Sequence, residues 1–164
     1  MQVDIYACRD LDSRISAREV AAVHEFLDSG KMIHSMRDHP GHGSEFVGAA
    51  WGANLGVPGA RDKWWQAWLL MFKDKKHMGA SRGAWGPDQG LLKLHVWKVF
   101  LGQVFQHDAY TCTRAKFRGA RPWPTQRLTE PNNFVASVVT ENVTLTVKCP
   151  TPCRPAQHPD WEYC

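Results

Sequence analysis

Proline placement sets the first limit on this chain. Seven of its ten prolines fall at positions 122, 124, 131, 150, 152, 155 and 159. Proline has no backbone N–H and its ring clashes with the preceding turn, so it is kept out of helix interiors and central strands. Regular structure is therefore expected ahead of Arg121. Residues 1–135 read as the folded unit and residues 136–164 as a poorly packed Pro- and Cys-rich tail, with one possible strand at Val143 to Val147. A chain of 164 residues is one ordinary domain, or a domain with a tail.

Ahead of the prolines the pattern alternates between strand and helix signals. Val3 to Ala7 is β-prone and reads as a buried strand running into Asp10-Leu11-Asp12. Ser16-Ala17-Arg18-Glu19 is a capping box. It should open a helix with Val20, Val23, His24 and Leu27 on one face, stopped by Ser29-Gly30. Met32 to Met36 predicts a second strand, followed by the polar loop Arg37 to Gly43 and the glycine-rich stretch Gly48-Ala49-Ala50-Trp51-Gly52. Arg61 to Phe72 predicts a helix whose Trp64, Trp65, Trp68, Leu69 and Phe72 form a core stripe. Gly79 to Pro87 reads as a flexible loop. Asp88 then falls in the first turn of a helix carrying Leu91, Leu92 and Val96. Val99 to Gln106 predicts a last strand, ending at His107-Asp108. There is no internal repeat. The expected class is α/β, a mixed sheet flanked by helices.

Charge and cysteine content exclude several functions. The net charge is +4, from 20 Lys and Arg against 16 Asp and Glu. These cations are spread along the chain, which argues against a nucleic-acid interface and reads as a solvated surface with a slight positive bias, or else as attraction to a phosphate-bearing substrate. No apolar run approaches the roughly 20 residues needed for a membrane span. Met1 to Ile5 lacks the basic and apolar regions of a signal peptide. Three of the five cysteines lie in the last 16 residues. Cys149-Pro-Thr-Pro-Cys153 has no matching His or Cys pair after it, so a tail disulfide is expected rather than zinc. With the sequon Asn142-Val143-Thr144, this favours a secretory-pathway lumen or the extracellular space.

Five motifs can carry chemistry. In an extended chain Asp10 and Asp12 would point to the same side, about 6.6–7 Å apart at Cα. Carboxylates so placed suit a hard divalent cation such as Mn²⁺ or Mg²⁺, which bridges protein oxygens to substrate phosphates. Arg14 could pair with Asp12 or touch a phosphate. Asp88-Gln89 at a helix start is an N-cap, a general base or an orienter of an acceptor hydroxyl. The imidazole of His107 could ligate the same ion, or be a satisfied buried histidine. His34, Asp38, His39 and His42 form a second polar cluster, either a substrate-binding loop or the metal site of a hydrolase. Gly48 and Gly52 allow close backbone approach. Trp51 between them could stack on a sugar ring or pack inward.

The order of these motifs resembles that of GT-A-type glycosyltransferases, which carry an Asp-x-Asp metal motif, a glycine-rich loop, an acidic residue opening a helix, and a metal-binding histidine. The chain also looks like GT-A-like proteins of bacteria and animals through Arg9-Asp10-Leu11-Asp12-Ser13-Arg14, Met36-Arg37-Asp38-His39-Pro40, Gly86-Pro87-Asp88-Gln89 and His107-Asp108. The likeness spans roughly residues 3–135, which would be the catalytic portion. It implies transfer of a sugar from a nucleotide-sugar donor to a glycan or protein acceptor, with Mn²⁺ or Mg²⁺ held by Asp10, Asp12 and His107. Asp88 would activate the acceptor. Asp10, Arg14, Arg37, Asp38, His39, Gly48, Trp51, Gly52 and Gln89 would bind substrate. Ala49 and Ala50 depart from the glycine-rich pattern. Only nine residues precede Asp10, so the fold expected is a partial GT-A sandwich, without most of the nucleotide-binding half. A partner chain or self-association could cover that side. The alternatives are a non-catalytic relic that binds glycans or a partner, and a metal-dependent hydrolase.

Overall fold

The computed structural model describes residues 3–79 and 87–164. Strands β1 (Ile5–Cys8), β2 (Ile33–Arg37), β3 (Trp51–Asn54) and β4 (Val104–Asp108) form one mixed sheet in the order β1-β3-β2-β4. β3 runs antiparallel to both β1 and β2, and β2 runs parallel to β4. All five residues of β2 are buried, as a central strand between two covered faces requires. Helices flank the sheet: α1 (Ala17–Asp28), α2 (Ala60–Lys73), α3 (Lys75–Gly79) and α4 (Pro87–Leu91), the last continuing as a π-helical turn over Leu92–Trp97.

Two apolar clusters sit on opposite faces of the sheet. Ile33, Phe46, Trp51 and Ala53 pack with Ala60 and Ala67 of α2 and with Leu92, Val96 and Phe100. On the other face Met36 packs with Ala22 of α1, Trp123, Val135, Cys149 and Cys164. Successive β2 side chains therefore serve different layers, as a period of two dictates.

Several expectations need correction. β1 is an edge strand with alternating exposed and half-buried residues, not a buried one. The stretch after it does not stay extended, because the Ser13 amide donates to the Asp10 carbonyl at 3.3 Å and closes a turn through Leu11 and Asp12. α1 has the expected cap, Ser16 Oγ accepting from the Glu19 amide, and the expected stop at Ser29 and Gly30. Its buried face carries Arg18, Glu19, Ala22 and Phe26, while Val20 is exposed. Apolar periodicity missed that face because half of it is charged. Trp51 and Gly52 belong to a strand that the glycine-rich reading did not foresee. Gly52 lies where a Cβ would stand 2.8 Å from the Tyr6 carbonyl oxygen. β4 begins at Val104 and includes His107 and Asp108. The loop expected over Gly79 to Pro87 falls largely outside the described residues.

The tail is packed, not loose. Ser137, Leu145, Cys149, Cys153 and Cys164 are buried. Val143 to Val147 forms no strand. Instead the Asn133 side-chain amide donates to the Leu145 carbonyl and accepts from the Leu145 amide, a side chain standing in for a neighbouring strand. Disulfides join Cys112 to Cys153 and Cys149 to Cys164, leaving Cys8 as a free thiol. The tail bridge was expected; the bridge to Cys112, which ties the tail to the body, was not. Two bridges mildly favour an oxidising compartment. No helix among the described residues is long and apolar enough to cross a membrane.

Candidate functional site

The end of β1 gathers three of the five motifs. Cys8 closes the strand opposite Trp51, and the turn at Asp10 follows directly. Gly48 lies against the start of α4. A Cβ on it would stand 3.0 Å from Asp88 Oδ2 and 3.7 Å from Gln89 Nε2. Asp10 and Asp88 both act on the Cys8 thiol. Burial raises that thiol's pKa, the Trp51 indole opposes the rise, and the two carboxylates add to it. The Trp51 N–H has no other partner and lies close enough to the thiol to favour its charged form. Asp10, Asp12 and Asp88 are exposed, and none joins an ion pair among the described residues. The result is an open, uncompensated acidic rim with a backbone glycine beside it.

Arg9 stiffens this rim. It donates to the Arg14 carbonyl at 2.9 Å and pairs with the largely buried Glu19 carboxylate of α1. Behind the turn, the Val139 amide donates to the Asp12 carbonyl at 2.9 Å, and Ser13 bridges Val138. The tail thus clamps the acidic turn. Sequence reasoning gave neither Cys8 nor Arg9 a role of its own. The signal for Cys8 was its i, i+2 spacing from Asp10 at a strand end.

Other expected site residues serve the interior. Arg37 is buried, bonded to Asp108 Oδ2 at 2.7 Å and Gln106 Oε1 at 2.7 Å, with its guanidinium 3.8 Å from the centre of the Phe117 ring. Asp38 is fully buried and takes a bidentate pair from Arg18, at 2.8 Å twice, with Arg127 and the Val135 amide as further donors. Burial alone would raise its pKa, but Arg18 and Arg127 outweigh burial and hold it below the usual carboxylate value. His39 accepts from the Gly41 amide and packs on Phe134. Trp51 is a core ring, set edge-on to Tyr6 and Phe46, so it offers no platform for a sugar. These residues join α1, β2, β4 and the tail into one frame, and none of Arg37, Asp38 and Trp51 is exposed for a substrate.

His107 stands apart from the acidic rim. It is fully buried, with Nδ1 2.9 Å from His34 Nε2 and Nε2 3.0 Å from Glu25 Oε2. Both ring nitrogens are spent inside the chain. Burial lowers its pKa to about 4 against the support of Glu25. The second cluster splits: His34 turns towards Phe26 and His107, while His39 and His42 stay together with ring centroids 5.4 Å apart and His42 accepts from the Asp38 amide. Among the described residues no three His, Cys, Asp or Glu side chains gather as a metal-binding group.

A cleft of about 310 Å³ opens beside the N-terminus of α1, lined by Arg18, Thr125, Leu128 and Asn133 among others, and does not include the acidic rim. Comparison with protein-family models, curated proteins and solved structures finds no match, so the site itself must carry the argument.

Proposed function

We propose that the acidic rim is the working site of a metal-dependent glycosyl transfer centre of GT-A type. One observation carries this reading: Gly48 lies against Asp88 and Gln89, and the Asp10 turn directly follows Cys8, whose thiol feels the charge of both Asp10 and Asp88, so motifs scattered over 80 residues of sequence meet at one strand end. Asp88 is the group positioned to accept a proton from an acceptor hydroxyl. Asp10 and Asp12 supply unpaired oxygen donors, the chemistry that Mn²⁺ or Mg²⁺ takes alongside substrate phosphates, and such an ion would neutralise a leaving diphosphate. Gly48 leaves room at the carboxylate for the substrate. His107 is not part of this donor set.

The engagement of His107 favours a second reading, a module that binds a glycan or a partner without turning it over. Donor hydrolysis separates the two. The purified chain is incubated with a panel of nucleotide sugars and Mn²⁺, with the variants Asp88→Asn and Asp10→Asn beside it. The transfer reading expects hydrolysis that falls at least about 100-fold in Asp88→Asn, with an unchanged melting temperature because the residue is exposed. Turnover equal in all three proteins removes the rim from the chemistry. Retention of a glycan with no hydrolysis in any of them supports the binding module.

A further inference from the structure

Helix α2 carries a feature that the transfer site does not use. Trp65, Trp68 and Phe72 are 58%, 43% and 53% exposed, whereas the side that packs on the core carries Ala60, Ala67, Trp64 and Met71. The three exposed rings lie three and four residues apart and stack in sequence. Their centroids are 5.3 and 5.4 Å apart, and each pair is inclined by 11°. Lys75 Nζ sits 4.6 Å from the Phe72 ring centre, and the exposed Lys73 and Lys76 flank it. None of these three lysines meets a carboxylate among the described residues. The nearby acid, Asp74, is held by His77 and His95 at 2.8 Å each. Asp62 lies about 16 Å further back along the helix, at 1.5 Å per residue.

From this arrangement we infer that the exposed face of α2 docks on the surface of an anionic phospholipid bilayer. Exposed apolar rings gathered in one patch mark a contact surface, whereas single exposed rings are ordinary. Tryptophan and phenylalanine beside lysines are the composition of helices that lie in a membrane interface. The choice of occupant rests on charge and on ring geometry. Three unpaired lysines at one end of the ladder call for phosphate-rich negative charge. The rings turn their faces to one another, so a sugar finds few free faces to stack on. This inference does not depend on the transfer reading.

The test is sedimentation of the full chain with phosphatidylcholine vesicles and with vesicles containing phosphatidylglycerol. Binding is expected to the anionic vesicles alone and should weaken as salt rises. Replacing Lys73, Lys75 and Lys76 with Glu should weaken it by roughly fivefold or more per lysine. Trp65→Ser with Trp68→Ser should abolish it with circular dichroism unchanged; if that pair perturbs folding, the lysine variant decides alone. Three results overturn the inference: no vesicle binding; binding equal in parent and variants; or, without vesicles, a ladder-dependent self-association or retention on a soluble glycan that accounts for the face instead.

Discussion

Buried histidines and their partners decide how this protein responds to acid. His42 and His107 are both shifted from 6.5 down to about 4, in each case first by burial. His39, Asp38, Arg37 and Asp108 surround His42, and Glu25, Arg121 and Arg18 act on His107. His34 is lowered as well, by burial and by His107. A histidine held neutral in the folded chain costs nothing above the unfolded pKa, where both states are neutral. As pH falls below 6.5 the unfolded state takes up the proton and the folded state does not, so stability is lost down to about pH 4. Each such group contributes a slope of about 1.4 kcal/mol per pH unit in that window. Acidification from pH 7 to 4.5 should therefore lower the unfolding free energy steeply. His42→Asn, whose side-chain oxygen can still accept from the Asp38 amide, should remove one proton's share of the slope. Urea titrations across that range check it, and an unchanged slope would show that His42 titrates normally in the folded chain.

At the scale of elements, the edge strand and its glycine partner carry the argument. In the sheet β1 pairs with β3, and the pairing places Gly52 opposite Ala7. A Cβ at Gly52 would meet the Tyr6 carbonyl oxygen at 2.8 Å, a backbone atom that cannot swing aside. At Gly48 the atom met is the end of the Asp88 side chain, at 3.0 Å. Gly52→Ala should thus cost about 1–3 kcal/mol through displaced backbone. Gly48→Ala should leave stability nearly unchanged and turn the Asp88 carboxylate away. Thermal melts compare the two, and equal losses would mean that the Gly48 loop is as rigid as the sheet. The same contrast explains what was readable here. Asp88 in a helix start could be seen from Pro87 and the apolar positions after it. The strand at Trp51 could not, because four residues with two small ones carry no period-two signal.

The whole molecule depends on its C-terminal segment more than its composition suggests. Cys112–Cys153 closes a span of 41 residues and Cys149–Cys164 one of 15. In the chain-entropy account such loops are worth about 3–4 kcal/mol each, without simple additivity where they interlock. The segment also donates the Val135 amide to Asp38 and the Val139 amide to the Asp12 carbonyl. Reduction with a thiol should lower the melting temperature and loosen the acidic turn together. Hydrogen exchange at the Val139 amide, before and after reduction, measures this. Protection that survives reduction would show that the tail packs without its bridges.

The sequence by itself determined the local features: the cap and stop of α1, the helix over Ala60–Lys73, and the strand at Ile33–Arg37. Each is set by neighbours within a few residues, through caps, periodicity or proline and glycine geometry. Tertiary structure decided the rest. Which face of α1 is buried depended on Arg18 finding Asp38, 20 positions away, a carboxylate that Arg127, 89 positions beyond it, also holds. Whether His107 stood free or spent depended on Glu25 and His34, 82 and 73 positions away. The tryptophans of α2 divided between core and surface according to what packed on that helix. Burial and pairing are long-range properties. A charged side chain is compatible with the interior only when its partner arrives, and a sequence read locally does not show the arrival.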